Sequence, residues 1–331
     1  MAYLTDRRNF LIAAGAGMFL ATLGVRAQNS TLPVIGYLGA ESATAFASRL
    51  RAFRQGLAEG GLVEGRDVAI DFRWAEGQHS RLPALAAELV RRRVNVIVAP
   101  GGAPAALAAK AATTSIPIVF EMGGDPVRLR LVESLSRPTG NLTGVASFNV
   151  DLSPKRLQFL QEAIPTARLI AVLVNPTSPT TEVQMDRLQA AAAELKVQVH
   201  IVGAANEQAF EGAFETMRAV NAAGLVVASD TYFALHSEPL AALALKYRLP
   251  AITQTRDFPL AGGLMSYGGN FFESHRVAGI YTARIIKGAR PAELPVQQVK
   301  GFEFFVNLKT AKMLGLALPM TLLASADHVV E

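Results

Sequence analysis

The sequence predicts an α/β protein made of two doubly wound, parallel-sheet lobes joined by a multi-strand hinge. Short apolar runs rich in β-branched residues alternate with helical patterns from about residue 32 onwards. Most of these runs are continuously apolar, which is typical of parallel strands that helices cover on both faces. The alternation restarts near residue 141, and no low-complexity linker separates the two halves. Two similar units of parallel sheet therefore follow one another in the chain.

The composition excludes several classes of protein. The chain has 331 residues, of which half are hydrophobic and 18% are charged, so it is long enough for two cores and is not disordered. It has no cysteine, which excludes disulfides, thiolate chemistry, sulfur-ligated zinc and a lipid-anchored export signal. The net charge of +5 is modest, and the arginines at 91–93 fall at a predicted helix end. Binding to nucleic acid is therefore not expected.

The first 27 residues resemble an export signal. Arg7 and Arg8 lie in a twin-arginine motif, and an uncharged run from residue 10 to residue 25 follows. The run is shorter than the roughly 20 residues that a spanning helix needs. Val25-Arg26-Ala27 fits a cleavage site, so the mature chain is expected to begin at Gln28. The sequence thus predicts a periplasmic protein, exported by the twin-arginine route.

The predicted elements follow in a regular order. The helix at 46–59 has one apolar face and ends at a glycine pair, and the strictly alternating strand at 68–74 is expected near a sheet edge. Ser153-Pro154 and Ser178-Pro179 are each predicted to open a helix, with serine as the N-cap. Strands are predicted at 34–38, 68–74, 94–99, 116–120, 141–147, 169–174, 197–202, 224–228, 250–253 and 264–267, with an extended segment at 294–299. Helices are predicted at 46–59, 81–92, 104–112, 153–164, 273–286 and 308–314, with others between the later strands.

Long motifs link the sequence to a known family. The chain resembles the ABC-transporter substrate-binding proteins of the tryptophan/tyrosine-binding type, and the resemblance covers nearly all of the predicted mature chain in order. The matching segments are 55–65, 72–77, 81–86, 123–126, 262–268 and 306–312.

This resemblance implies a periplasmic-binding-protein-like fold of the first type, with three hinge crossings. The implied lobes are 32–148 plus 268–293, and 149–267 plus 298–331. The resemblance implies no cofactor. The sequence departs from the expected family pattern at three positions. Glu41 stands where a small residue is usual, Glu121 where an apolar or small residue is usual, and His275 where tyrosine is common.

Loops at the carboxyl ends of the strands are the candidate binding site, because ligands of open parallel sheets bind there. In the first lobe, Gly101, Gly102 and Ala103 open a helix whose free N–H groups suit a carboxylate, although a plain strand–helix turn explains the glycines too. Glu121 is a candidate to meet a ligand amine, and Asp125 either joins it or only caps the next turn. Glu41 and Ser42 follow the first strand and complete this set.

The second lobe offers matching loops. Asn175 and Ser178 follow one strand, where either a ligand contact or an Asx turn is expected. Asp230 is a candidate to pair with a cationic group of the ligand, and Tyr232 is a candidate to stack on a ring. The structural alternatives are that Asp230 only caps a helix and that Tyr232 only packs in the core. Arg256 is a candidate clamp for a carboxylate, or else part of a structural ion pair.

The leading hypothesis is a solute receptor, not an enzyme. It is expected to capture a small carboxylate-bearing solute, such as an amino acid or aromatic acid, and to dock as a monomer on an ABC permease of the inner membrane. The five histidines show no metal-pair spacing, and no phosphate loop or serine elbow appears, so neither a metal site nor catalysis is predicted. The alternatives are a ligand-sensing domain of the same fold and, less well supported, an α/β enzyme.

Overall fold

A computed structural model describes residues 32–299 and 301–331 of the protein. The predicted export signal at 1–27 lies outside the described residues. Within them, thirteen strands form two sheets. The strands are β1 Val34–Gly39, β2 Ala69–Trp74, β3 Val96–Ala99, β4 Ile118–Met122, β5 Leu142–Ala146, β6 Leu169–Val174, β7 Gln198–Gly203, β8 Gly224–Val227, β9 Ala251–Thr253, β10 Met265–Gly269, β11 Gln297–Gln298, β12 Phe302–Asn307 and β13 His328–Val330.

Helices connect these strands and cover the faces of the sheets. None of the helices in the described ranges is long and apolar enough to cross a membrane. The helices are α1 Ala47–Glu59, α2 Leu82–Arg91, α3 Ala103–Ala112, α4 Ser153–Ala163, α5 Thr181–Leu195, α6 Phe210–Ala219, α7 Thr231–Leu235, α8 Ser237–Lys246, α9 Asp257–Leu260, α10 Phe271–Ile286, α11 Leu308–Met313 and α12 Met320–Ala324.

The two sheets share one strand order. The first sheet runs β2-β1-β3-β4-β5-β11, with every pair of neighbours parallel. The second runs β7-β6-β8-β9-β10-β12-β13 and is parallel except between β10 and β12. Both therefore have the 2-1-3-4-5 order of a doubly wound fold, which confirms the predicted class. The strand order reverses between β1 and β3 and between β6 and β8.

The core lies on both faces of each sheet. In β3, Val96 and Val98 pack into a cluster on one face while Ile97 and Ala99 pack into a cluster on the other, and all four are fully buried. This period-2 alternation of apolar side chains on both faces produces the continuous apolar run seen in the sequence. Strand β2 lies at the edge of its sheet and is only half-buried, as its alternating pattern predicted.

Helix α10 belongs with the first sheet although it follows the second in the chain. It packs against α1, where two glycines allow the backbones to approach. A Cβ on Gly56 would lie 1.8 Å from the carbonyl oxygen of Arg276, and a Cβ on Gly279 would lie 2.2 Å from that of Phe53. Strand β11 then joins the first sheet and β12 returns to the second. The chain thus passes between the sheets three times.

Several local predictions were wrong. Ser153 is the first residue of α4 and makes no cap, since its hydroxyl donates to the carbonyl of Val150 (2.9 Å). Helix α5 begins at Thr181, so Ser178 does not cap it either. Strands β12 and β13 were not predicted. The sheets also differ from the expected lobe bounds. Gln298, expected in the second lobe, pairs with Ala146 in the first sheet, and Gly269, expected in the first lobe, belongs to β10 of the second sheet.

Candidate functional site

A small cavity lies between the two sheets, at the carboxyl ends of their strands. Loops from both sheets line it, including Gly101–Pro104 after β3, Ser178 after β6 and Asp230 after β8. The cavity therefore sits beside both points where the strand order reverses, which is where open α/β sheets bind ligands. Its volume is about 30 Å³, enough for only a few water molecules.

The first-sheet wall contains the start of α3. Gly102 has φ 76° and precedes the helix, a backbone angle that favours glycine. A Cβ on Gly101 would lie 2.6 Å from the Cβ of Ala40, so this loop packs closely on the end of β1. Ala103 and Pro104 line the cavity, and the N–H groups of Ala103 and Ala105 in this first turn of α3 have no partner within the helix. This wall is suited to a negatively charged group.

The second-sheet wall presents a carboxylate. Asp230 caps α7, and its Oδ1 accepts from the N–H of Tyr232 (2.9 Å) and from Nδ2 of Asn175 (3.3 Å). Asn175 is itself held in an Asx turn, because its Oδ1 accepts from the N–H and the hydroxyl of Thr177. Asn175 is thus a positioning residue for Asp230. Ser178 lines the cavity, and its hydroxyl lies 3.2 Å from that of Thr180.

Glu121 closes the deep end of the cavity at the end of β4. Its side chain is 3% exposed, and Oε1 accepts a hydrogen bond from the hydroxyl of Ser274 on α10 (3.0 Å). Burial raises the pKa of Glu121 to about 7, against the opposing effects of the Arg49 charge and the Ser274 hydrogen bond. Oε2 lies 3.9 Å from Nε2 of His275.

Glu41 lies just after β1 and is also 3% exposed. Its Oε1 is buried without a hydrogen-bond partner among the described residues. Burial, together with the charges of Asp230 and Glu76, raises the pKa of Glu41 to about 7 against the opposing effect of the Arg49 charge. A Cβ on Gly77 would lie 3.3 Å from Oε2, so that glycine packs against this carboxylate.

Arg49 and His275 complete this group, and neither was among the residues predicted for the site. Arg49 on α1 is 5% exposed, and its guanidinium lies 4.6 Å from the ring centre of Phe271. Nδ1 of His275 lies 2.8 Å from the carbonyl of Phe271, so it is the protonated nitrogen and Nε2 carries a lone pair. Burial lowers the pKa of His275 to about 3, and the Arg49 charge adds to this, so the imidazole is neutral.

Six predicted site residues lie outside the lining of this cavity, namely Glu41, Ser42, Asp125, Asn175, Tyr232 and Arg256. Ser42 accepts from the N–H of Ala45 in the turn before α1, and Asp125 accepts from the N–H of Val127 (2.8 Å). These two caps favour the structural alternative for both residues. Tyr232 packs in the core with its ring stacked on His236, and its hydroxyl accepts from the N–H of Glu207. Arg256 lines a neighbouring cavity of about 100 Å³, with Nη1 4.0 Å from Oε2 of Glu303.

The two doubly wound sheets, the three passages between them and the interposed cavity define a periplasmic-binding-protein-like fold of the first type. The family model of the ABC transporter substrate binding proteins matches residues 42–330. The chain therefore belongs to this family. The members of this family are solute-binding proteins, not enzymes, and the curated relative named below is a tyrosine-binding protein.

Known relatives agree with this assignment. A tyrosine-binding protein of Clostridioides difficile (strain R20291) is 26% identical over 281 residues, which cover 84% of this chain and 78% of the relative. Two solved structures share the fold. One is a conserved domain protein from Vibrio cholerae (TM-score 0.82, 24% identity, covering 90% of this chain and all of that one). The other is an ABC domain from Streptococcus pneumonia in complex with L-Trp (TM-score 0.79, 23% identity, covering 89% and all).

Proposed function

We propose that the protein is an exported solute receptor of an ABC importer, which captures a small carboxylate-bearing solute of the amino-acid class. The observation that carries this proposal is the cavity between the two sheets. Loops at the points where the strand order of each sheet reverses line this cavity. The named binding partners of two relatives, tyrosine and L-Trp, support the amino-acid class.

The walls of the cavity fix the orientation of the solute. Its carboxylate faces the N-terminal turn of α3 at Gly102 and Ala103, and its ammonium group faces Asp230 on the other wall. Each contact places a charge against a wall of the opposite polarity. A zwitterionic head group spans the two sheets in this arrangement, so binding favours their approach.

The small volume of the cavity implies a moving cleft. An amino acid does not fit in about 30 Å³, so the walls separate for the solute to enter. We propose that the two sheets, each with the helices that cover it, act as two lobes, which hinge at the three passages of the chain. The closed, solute-bound form docks as a monomer on the permease. Export by the twin-arginine route, with a mature chain from Gln28, places the receptor in the periplasm.

Calorimetry on the purified protein tests the proposal. The probes are L-tyrosine, L-tryptophan, L-lysine and benzoate, together with mass spectrometry of small molecules that co-purify. Asp230→Asn keeps the capping acceptor but removes the charge, so it weakens binding of the amino acid that the parent protein prefers by about tenfold or more. Asp125→Asn is the matched control, because Asp125 also caps a turn but lies outside the cavity. A protein that binds none of the probes and carries no small molecule contradicts the proposal.

A further inference from the structure

Buried polar atoms without partners cluster behind the cavity wall. Among the described residues, Glu41 Oε1, Arg49 Nη2, His275 Nε2 and the hydroxyl of Tyr37 are buried and make no hydrogen bond. The four side chains belong to one group, since the Arg49 charge acts on the other three and Phe46 packs against both Arg49 and His275. A buried polar atom that lacks a partner costs about 1–3 kcal/mol, so such a cluster is unusual in a site that binds nothing.

Buried acceptors at this end of the cleft have no donor within hydrogen-bonding distance, although Arg49 Nη2 and the Tyr37 hydroxyl are unpartnered donors of the same group. Glu41 Oε1 and His275 Nε2 are lone-pair atoms with no donor, and Glu121 receives only the hydroxyl of Ser274. Both nearby imidazoles, His275 and His79, have pKa values lowered by burial and so supply no positive charge. Within the group, therefore, no donor reaches Glu41 Oε1 or His275 Nε2, and neither imidazole supplies a cation to the carboxylates.

The charges of the side chains in and near the cavity are also unbalanced, because carboxylates outnumber the cations that act on them. Glu121 and Asp230 line the cavity, and Glu41 is buried close enough to Asp230 for that charge to raise its pKa. Arg49 is the guanidinium that acts on both glutamates. Asp257 also acts on Arg49 from the second sheet, and Arg256 pairs with Glu303 in the adjoining cavity. Buried carboxylates need a paired cation to stay ionised. The solute is the remaining source of that charge.

The lining is poorly suited to an aromatic solute. Phe271 is the aromatic side chain that lines the cavity, and Val150 is the large aliphatic one. The rest of the lining is glycine, small residues and polar side chains such as Thr180, Ser229 and Gln254. Pockets for aromatic or aliphatic groups are lined mainly by hydrophobic and aromatic residues. The lining favours a hydrophilic solute.

We infer that the solute carries a second positively charged group, an amine, guanidine or amidine, in addition to its amino-acid head, and that Glu121 and Glu41 receive it. This inference rests on the proposed function and names the class of solute for the same cleft. A cation beside the two glutamates favours their ionised forms. Binding near neutral pH therefore releases protons, because both pKa values lie at about 7 in the empty cleft.

Matched solutes test the inference directly. L-lysine and L-norleucine have the same carbon chain and differ by the side-chain amine, so calorimetry with both isolates the second charge. We expect L-lysine, L-ornithine or L-arginine to bind at least tenfold more tightly than L-norleucine, L-tyrosine and L-tryptophan. Titrations near pH 7 in buffers of different ionisation enthalpy should show proton release with the cationic solute.

Variants assign the preference to the two carboxylates. Glu121→Gln should remove most of the preference for the cationic solute and reduce proton release, and Glu41→Gln provides an independent check if Glu121→Gln does not fold. Glu194→Gln, an exposed glutamate on α5, should leave both unchanged. Equal or tighter binding of a neutral solute, or no binding of any cationic one, overturns the inference. The receptor function itself survives that result if a neutral solute binds or co-purifies.

Discussion

The guanidinium of Arg156 donates to the hydroxyl of Ser229 from Nη2 over 2.6 Å, deep in the second half of the protein. Arg156 is fully buried, and it also donates to the carbonyls of Asn149 (2.8 Å) and Tyr267 (3.0 Å). Asn149 lies on the first passage between the sheets and accepts from the N–H of Gly269 (2.8 Å), at the end of β10. Arg156 therefore joins the first passage to the second.

Replacing Arg156 should destabilise the protein strongly. Arg156→Met keeps much of the side-chain volume but leaves several buried acceptors without donors, so the free energy of unfolding should fall by about 3 kcal/mol. Urea denaturation measures this loss. Arg137→Met, at an exposed arginine, should change it by less than about 1 kcal/mol. An equally stable Arg156→Met variant contradicts the role of these hydrogen bonds.

Stability should depend on pH through the buried glutamates. The pKa values of Glu41 and Glu121 are about 7 in the folded protein and 4.5 ordinarily, so the folded state holds protons that the unfolded chain has lost. Their stabilising contribution is present below about pH 4.5 and is lost as the pH rises through 7. His275 acts in the opposite sense, because its pKa is about 3 when folded against 6.5, and its contribution is lost as the pH falls from 6.5 towards 3.

The effect of the two carboxylates is larger than the opposite effect of the one imidazole. These three groups together therefore lower the free energy of unfolding as the pH rises from about 5 to about 8. Denaturation of the protein and of the Glu41→Gln/Glu121→Gln variant at both pH values isolates this contribution. The double variant should lose less stability on going to the higher pH. Glu194→Gln serves as the control for a surface charge, and identical pH profiles for all three proteins would show that the two carboxylates titrate normally.

Two glycines with positive φ allow the effect of a substitution on stability to be compared with its effect on closure of the cleft. Gly140 (φ 62°) and Gly102 (φ 76°, ψ −163°) both have backbone angles that favour glycine, so alanine costs about 1 kcal/mol at position 140 and about 1–3 kcal/mol at position 102. A Cβ at Gly102 would lie 2.8 Å from the hydroxyl oxygen of Thr231 across the cavity, whereas a Cβ at Gly140 meets nothing within 4 Å. Gly102→Ala alone should weaken solute binding and hold the cleft open.

Small-angle scattering and calorimetry with the tightest-binding amino acid measure these two effects. We expect Gly102→Ala to have a larger radius of gyration than Gly140→Ala when the solute is present. Similar affinities for the two variants would argue against contact between these walls in the bound state.

Export gives a prediction that depends on the sequence alone. Replacement of Arg7 and Arg8 by lysine should block export, because the twin-arginine route requires the pair. Cell fractionation measures the block, and N-terminal sequencing of the periplasmic protein should begin at Gln28. Recovery of residues 1–27 on the exported protein contradicts cleavage.

Local patterns were sufficient to predict much of the fold. Each of the predicted strands from β1 to β10 is present, because short apolar or alternating runs between helical segments are typical of strands in a parallel sheet that helices cover. The loops around Gly102 and Asp230 meet at the cavity for the same reason, since carboxyl ends of parallel strands share an edge. Strand β12 was missed because it follows β11 closely and pairs antiparallel with β10, outside the repeating pattern.

The buried polar cluster could not be derived from spacing. Glu41, Glu121 and His275, at which the sequence departs from the family pattern, come from three distant segments. Glu121 and His275 approach each other because α10 packs against β4 as well as against α1. Arg49 lies on the apolar side of α1 and was not distinguished from the solvated arginines of the same helix. Its burial against Phe271 depends on α10, which the chain reaches only after completing the second sheet up to β10.

The interleaved path of the chain determines the order in which the protein acquires its structure. During synthesis, the first five strands leave the ribosome without α10 and β11, so the face of α1 that bears Gly56 has no partner until about residue 286 has been made. Such long-range contacts slow folding and prolong exposure of apolar surface. Neither half is a contiguous piece of chain, so fragments cut at the first passage should not fold alone, and a nascent chain needs chaperone protection until translation is nearly complete.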